Sequence, residues 1–567
     1  MTTLDRRRFL AGSAGAGAAA LAGSTASASS ASAASSSLTV RPQFHHGVAS
    51  GDPLPHSVVL WTRVTPIPAA TPGSGEGPAV RVHWEVATDH SFASIVRSGV
   101  MRTSAARDHT VKLSASKLPA ASWLYYRFRC GSATSPVGRT RTAPAHHAHP
   151  ERLRMGVVSC SNWQAGYFSA YRHLADRDDL DLVLHLGDYI YEYAPGEYGY
   201  GPEDIDIRTH LPRREMVSLS DYRRRHAQYR TDPDLQRLHG RLPWITTWDD
   251  HEMTNDQYRR GAENHQPETE GDFKKRRAAA RRAYDEWMPI RLGGSADLGD
   301  GNRLYRRFRF GQLAELSLLD LRTYRSKQVD QTDSQAISDP DRTILGNRQE
   351  EWLIDRLGNA KAQWKLIGNP VMVTPVQMPP LPQATVQRVR KVTGAGYQVD
   401  AAAADPQGVP FNSDSWDGYA ADRKQVLDYL ADHGILDTVF LTGDIHSSWA
   451  CDVPRDPGTY RVNRNSVATE LVCTSVTSNN LDDITGDPTG ETSRAIEESF
   501  KQANPHIKYL EFDEHGYSVL QVTPARVHMD WFKISDRRDR DATSEHMVSY
   551  NVPSGQQRIR RAQGPLH

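Results

Sequence analysis

Cysteine is scarce: Cys130, Cys160, Cys451 and Cys473 are the four in 567 residues. A disulfide scaffold packs crosslinks densely into a small fold, and a chain this long with four cysteines is not one. Cys451 and Cys473 flank one segment and are a candidate pair; Cys160 ends an apolar run, where a metal ligand would be useful. Net charge is also missing, because 68 Lys and Arg balance 68 Asp and Glu. No overall field draws nucleic acid or another polyanion, so no specific nucleic-acid partner is expected. The body of the chain holds no apolar run long enough to span a bilayer. It also lacks a G-x-S-x-G, a P-loop and a zinc-type cysteine pair, which leaves serine hydrolase, nucleotide-binding and zinc-finger readings unsupported.

The N-terminus is a different material. Arg6-Arg7-Arg8-Phe9-Leu10 precedes an Ala/Gly run from Ala11 to Ala22, and Ala26-Ser27-Ala28 and Ala31-Ser32-Ala33 follow as small-residue cleavage sites. The pattern predicts a twin-arginine signal peptide over 1–37, the twin-arginine export machinery as a partner, and a secreted, extracellular or wall-associated protein.

Short alternating segments follow, among them Ser57 to Val64, Val80 to Val86, Thr110 to Leu113 and Trp123 to Phe128, separated by Pro, Gly and Asp clusters. They predict a β-sandwich of immunoglobulin or fibronectin type over 38–145. A His/Ala/Pro linker from Ala143 to Pro150 ends it. His45, His46, His146, His147 and His149 read as surface residues. From Leu153 apolar runs alternate with helical stretches: strands near Met155, Leu182, Trp244, Leu313, Trp364 and Thr438, and helices near Tyr167 to Arg177, Gln349 to Leu357 and Asp422 to His433. Strand–helix–strand repetition predicts a parallel sheet of the α/β or α+β class over 151–550. A tail covers 551–567, and Val389 to Pro410 reads as a loop. Two basic stretches stand out, one with Arg208, Arg213, Arg214, Arg223, Arg224, Arg225 and Arg230, the other with Lys274, Lys275, Arg276, Arg277, Arg281 and Arg282. They read as solvated helix faces, or as a basic rim drawing in an anionic substrate.

Four of the apolar runs end on metal-donor residue types. They are Cys160 with Asn162; Asp188 with Tyr191; Asp249-Asp250-His251-Glu252 with Asn255; and Asp444 with His446. Thiolate, phenolate, imidazole and carboxylate all bind metals, and strand ends hold them on a fixed backbone. Together they predict one shared site at the sheet's edge.

The blocks Ser159-Cys160-Ser161-Asn162, Gly187-Asp188-Tyr189-Ile190-Tyr191-Glu192, Trp248-Asp249-Asp250-His251-Glu252 and Gly443-Asp444-Ile445-His446-Ser447-Ser448 resemble those of the PhoD-type alkaline phosphatases and phosphodiesterases, within the calcineurin-like metallophosphatases. Leu319-Asp320-Leu321-Arg322-Thr323-Tyr324-Arg325 and Asn504-Pro505-His506 fit the same family. The resemblance implies an αββα catalytic domain and Fe³⁺ with Ca²⁺ as cofactors. It implies that Asp188 bridges metals, that Cys160 and Tyr191 hold the ferric ion, and that Asp250, Asn255, Asp444 and His446 fill the remaining metal positions. Calcium's preference for oxygen favours Asp250, Asn255 and Asp444 for that ion. A phosphate ester repels a nucleophile, and cations both neutralise its oxygens and acidify water. Arg322 or Arg325 could fork two phosphate oxygens or form a surface or interdomain salt bridge. His251 could protonate a leaving group or orient Asp250. His506 could cap the site. The expected activity is hydrolysis of small-molecule phosphate esters by a monomer. One alternative is a phospholipase D acting on phospholipid with the same metals; another is a non-catalytic extracellular binding protein.

Overall fold

The structure, a computed structural model, describes residues 41–199, 207–292, 303–387, 409–487 and 489–566. The expected signal peptide lies outside them, as does the expected loop from Val389 to Pro410 but for its last two residues.

Strands near the N-terminus obey the two-residue period. In Trp123–Cys130 the side chains of Leu124, Tyr126, Phe128 and Cys130 are buried and those between are not. Leu153–Val158, Leu182–His185 and Pro243–Thr246 are instead buried at every position. That is what parallel strands covered on both faces require. These three pair in parallel at the centre of a ten-stranded sheet. Gly516–Val522, Arg526–Ile534, Ser544–Pro553 and Arg560–Ala562 extend it on one side. A second sheet of seven strands is built on Ala314–Leu318, Trp364–Asn369, Thr438–Thr442 and Ala468–Val472, again parallel.

The two sheets face each other across an apolar core. Met155, Val157, Leu184 and Ile245 of the first meet Leu316, Leu318, Leu366, Val439 and Leu441 of the second. Helices cover both outer faces. Ser169–Asp176, Pro233–Arg241 and Phe273–Trp287 place Tyr171, Leu174, Leu235, Leu238 and Tyr284 over the first sheet. Asn347–Gly358 and Ala420–Asp432 place Leu353, Leu357, Val426 and Leu430 over the second. The protein is therefore of mixed α and β class, with both sheets enclosed between helices.

The N-terminal region differs from a free-standing domain. Val48–Leu54, Ser57–Arg63 and Thr110–Ser116 form one layer; Ile95–Thr103, Val80–Ala87 and Trp123–Cys130 form another, with Val58, Leu60, Val82, Val86, Leu124 and Phe128 between them. The first layer does not stop at the expected linker. Val48–Leu54 pairs in parallel with Pro243–Thr246, Ser50 opposite Pro243 and Gly51 opposite Trp244, so it completes the ten-stranded sheet. Gly51 is needed there, since a Cβ would sit 2.3 Å from the Pro289 carbonyl oxygen. The tail expected from 551 is also ordered: it finishes Ser544–Pro553 and adds the edge strand Arg560–Ala562.

Most of the arginines read as a solvated face or a basic rim are interior. Arg223 pairs with Glu286, Arg225 donates to the carbonyls of Tyr193 and Leu211, and Arg230 lies 4.4 Å over the Trp61 ring. Arg276 joins Glu215 and Glu270, and Arg281 lies over Trp248. Each is at most 6% exposed, which leaves no rim at these positions. His46, expected at the surface, is buried edge-on to Trp287. Among the described residues no helix is long and apolar enough to cross a membrane.

Candidate metal centre

The parallel strands deliver their donors through unusual backbone. Cys160 (φ 60°), Asp188 (φ 57°), Asp444 (φ 64°) and His446 (φ 52°) are all in the left-handed region, which costs a non-glycine residue roughly 1–2 kcal/mol. Such conformations persist only where their surroundings fix them. Here the Cys160 N–H donates to the Gly187 carbonyl (3.1 Å) and the Ser161 N–H to that of Asp188 (2.9 Å). The buried Glu252 carboxylate accepts the N–H groups of Asp188 (3.1 Å), Tyr189 (2.6 Å) and Asp249 (2.8 Å), tying two strand ends together. Gly187 (φ 110°) lets them close up, since a Cβ would sit 2.5 Å from that of Asp249.

Three groups of donors result, and within each the ligand atoms lie within 4.8 Å of one another: Cys160, Asp188 and His446; Asp188, Asp250 and His251; Asp188, Asp249, Asp250 and Asp444. Asp188 belongs to all three. Tyr191 joins the first, its hydroxyl donating to Asp188 Oδ2 (2.9 Å) and lying 3.4 Å from His446 Nε2. His446 Nδ1 is 2.9 Å from the Asn479 carbonyl. That oxygen only accepts, so Nδ1 carries the proton and Nε2 keeps its lone pair for a metal.

The electrostatics call for cations. Burial, then neighbouring Asp188, push the Cys160 thiol and the Tyr191 hydroxyl well up. Burial, with Asp250 and Asp249 adding to it, raises Asp188 to about 7; burial and Asp249 push Asp444 up as well. Burial opposes a charge on His251, yet Asp250, Glu192 and Asp188 outweigh it and lift that imidazole to about 10. A buried set of acids this dense is stabilised by bound positive charge. Asp188 Oδ1 is buried and has no hydrogen-bond partner among the described residues, as a ligand atom would be.

The structure brings Cys160, Asp188, Tyr191, Asp250, Asp444 and His446 together, with His251 beside them. Its Nδ1 is 2.7 Å from Glu192 Oε2, and its ring stacks on Tyr191 at 4.3 Å. Asn255 is on the adjoining loop, its N–H bound to Glu192 (2.8 Å) and its Nδ2 to Glu263 (3.1 Å). Asn162 lies next to Cys160, its carbonyl bound by Thr477 Oγ1 (2.7 Å).

Arg322 and Arg325, considered as phosphate forks, are fully buried and committed to protein groups. Arg322 binds both oxygens of Asp249 (2.5 and 2.7 Å) and Asp414 (2.8 Å). Arg325 binds Asp414 Oδ1 (2.6 Å) and the carbonyls of Asp414 and Gln257. Both therefore form salt bridges in this structure, buried within the site, whereas the alternative to a phosphate fork was a salt bridge at the surface or between domains. His506 does not cap the site: its carbonyl accepts from Asp452, at the end of Ser448–Val453 remote from His446, and its Nε2 bonds the Pro375 carbonyl. Cys451 and Cys473 are free thiols, because they face different cores, one with Trp449 and Phe500, the other between the sheets.

Sequence reasoning assigned no role to Glu192, Glu252 or Asp414. The first two stand inside the blocks at 187–192 and 248–252. Asp414 lies in a segment without a pattern, and nothing in the sequence marks it.

Profiles of two families match the chain: the PhoD-like phosphatase N-terminal domain over residues 28–144 and the PhoD-like phosphatase over residues 155–531. The chain is 38% identical over 492 residues to alkaline phosphatase D of Bacillus subtilis (strain 168), covering 86% of this chain and 77% of that one. A solved structure described as that of PhoD superposes with a TM-score of 0.80 at 34% identity, covering 94% of each chain.

Proposed function

The chain belongs to the PhoD-like phosphatase family, and on that premise we propose that it is an exported alkaline phosphatase and phosphodiesterase using a ferric ion with calcium. Kinship at 38% identity over most of the chain supports hydrolysis of phosphoric esters. The observation that carries the metal reading is the convergence of three donor groups on Asp188. The donor chemistry fits: Cys160, Tyr191, Asp188 and His446 for iron; Asp188, Asp250, Asp444 and the Asn255 oxygen for calcium. When bound, such cations neutralise phosphate oxygens and acidify water.

The protein's own groups then have defined work. Asp188 joins the two halves of the site. Arg322 holds Asp249 in place and offsets its charge. Glu192 fixes the His251 ring through Nδ1, which leaves Nε2 to hand a proton to the departing alcohol. The N-terminal region is read as an immunoglobulin-like sandwich that supports the catalytic sheet. Export rests on the arginines near the N-terminus.

Elemental analysis of the exported protein, combined with turnover of p-nitrophenyl phosphate, bis-p-nitrophenyl phosphate and phosphatidylcholine, tests this reading and ranks monoester, diester and phospholipid. Asp188→Ala is expected to lose metal and activity together; turnover by a metal-free protein refutes the metal reading. Replacing Arg6, Arg7 and Arg8 by Lys is expected to leave the enzyme inside the cell, and unchanged secretion refutes the export reading.

A further inference from the structure

Residues 475–480 cross directly over the proposed iron donors, and all six are buried. The Val476 N–H donates to the Ser159 carbonyl (3.1 Å), and those of Thr477 and Ser478 donate to the Cys160 carbonyl (3.3 and 3.2 Å). Ser478 Oγ donates to the Tyr191 hydroxyl oxygen (2.5 Å). The Asn479 carbonyl accepts the Nδ1 proton of His446 (2.9 Å). One loop therefore sets the backbone of the thiol, the hydrogen bond of the phenol and the tautomer of the imidazole.

This Ser-Val-Thr-Ser-Asn-Asn segment brings one apolar side chain, so burial of side chains alone does not fix it. Arg537 does. Its Nη1 donates to the Thr477 carbonyl (2.5 Å) and to Asn479 Oδ1 (2.9 Å), and its Nη2 is 2.8 Å from Asp483 Oδ1. Asp483 Oδ2 meets His515 Nε2 (3.0 Å), and His515 Nδ1 is 3.0 Å from Ser475 Oγ, which closes a ring back onto the loop. The Arg537 carbonyl accepts the Tyr167 N–H (2.7 Å), so the same residue ties down the segment that follows Asn162. Its side chain is 8% exposed and reaches none of the donor atoms itself.

We infer that Arg537, partnered by Asp483, is a positioning residue: it holds residues 475–480 so that Cys160, Tyr191 and His446 keep the spacing that grips one metal ion. This rests on the metal reading above. Groups that orient ligands in this way typically change metal affinity by about 10–100-fold when removed.

The test uses full-length protein carrying Arg537→Gln, Arg537→Lys or the near-isosteric Asp483→Asn, at a temperature where circular dichroism shows each variant folded. Metal release into excess chelator is expected to be about 10–100-fold faster for Arg537→Gln and Asp483→Asn, with Arg537→Lys between them and the wild type. Arg223→Gln breaks a buried ion pair with Glu286 instead, and is expected to release metal at the wild-type rate. A second measurement needs no metal: in stripped protein, alkylation of Cys160, located by peptide mass, is expected to be faster in Asp483→Asn. Wild-type release rates with an unchanged Cys160 reactivity overturn the inference, as does equal acceleration by Arg223→Gln. Wild-type protein that holds no iron refutes the metal reading itself, and the alkylation then decides the role of Arg537.

Discussion

Replacing Arg322 by methionine separates two roles with different signatures. The guanidinium is fully buried, forks Asp249 at 2.5 and 2.7 Å, reaches Asp414 at 2.8 Å, and lies 3.5 and 3.6 Å from Asp444 and Asp250. Its removal strands Asp249, whose partner it is. Asp414 is not stranded, because Arg325 still binds it at 2.6 Å. The cost is therefore that of one broken buried pair, about 3–5 kcal/mol, and not of two. Bound cations would offset part of the exposed negative charge, so the loss is expected to be larger in metal-stripped protein than in loaded protein. The double variant Asp249→Leu with Arg322→Met removes both charges and is expected to regain much of the stripped protein's stability. Denaturant unfolding of both forms, with kcat and KM for p-nitrophenyl phosphate, reads all of this. If Arg322→Met left stability within about 0.5 kcal/mol of the wild type and raised KM alone, Arg322 would be a substrate ligand and the positioning argument would fail.

Three further outcomes are expected. In metal-stripped protein, Asp188 at about 7 and His251 at about 10 both lie above their ordinary values. Neither shift opposes folding at low pH; as pH rises, a cost of ionising buried Asp188 sets in between about 4 and 7, and the stabilisation from charged His251 is lost between about 6.5 and 10. Thermal unfolding against pH should show the stripped form weakening toward alkali while the loaded form does not; a flat stripped profile refutes the cluster's electrostatics. All four cysteines are free, so thiol titration in denaturant without reductant should return four per chain, and two would restore the Cys451–Cys473 bridge. His506→Gln should lower stability, since the buried ring bonds Pro375, yet leave kcat/KM within about twofold on the scale of an interior substitution that touches no substrate. A loss of about tenfold or more would return His506 to the site.

The donors were legible because each group follows a short apolar run that reads as a buried strand. The expectation of one sheet edge is corrected: Cys160, Asp188 and Asp250 follow strands of the ten-stranded sheet, whereas Asp444 and His446 follow Thr438–Thr442 of the seven-stranded sheet, and the site forms where the ends of the two sheets meet. The task of Glu252 is not legible, because its partners are the N–H groups of Asp188, Tyr189 and Asp249, and backbone donors leave no trace in sequence. The interior arginines are hidden in the sequence for a related reason. A basic helix looks solvated until Glu286, Glu215 and Glu270 are seen across the interface. The pairing of Ser50 with Pro243 spans most of the first half of the chain, and no local pattern announces it.

That pairing bears on how the polypeptide can be cut. Val48–Leu54 is an interior strand, with Pro243–Thr246 on one side and Ser57–Arg63 on the other. A protease acting in the His-rich stretch at 146–149, whose histidines face solvent, would sever the backbone without freeing either piece, because the ladder across Ser50 and Pro243 survives the nick. Produced separately, each fragment would carry an open hydrogen-bonding edge and tend to aggregate; produced together, they have a template on which to reassemble. The two family regions meeting at this point in sequence are thus better regarded as complementing halves than as detachable modules.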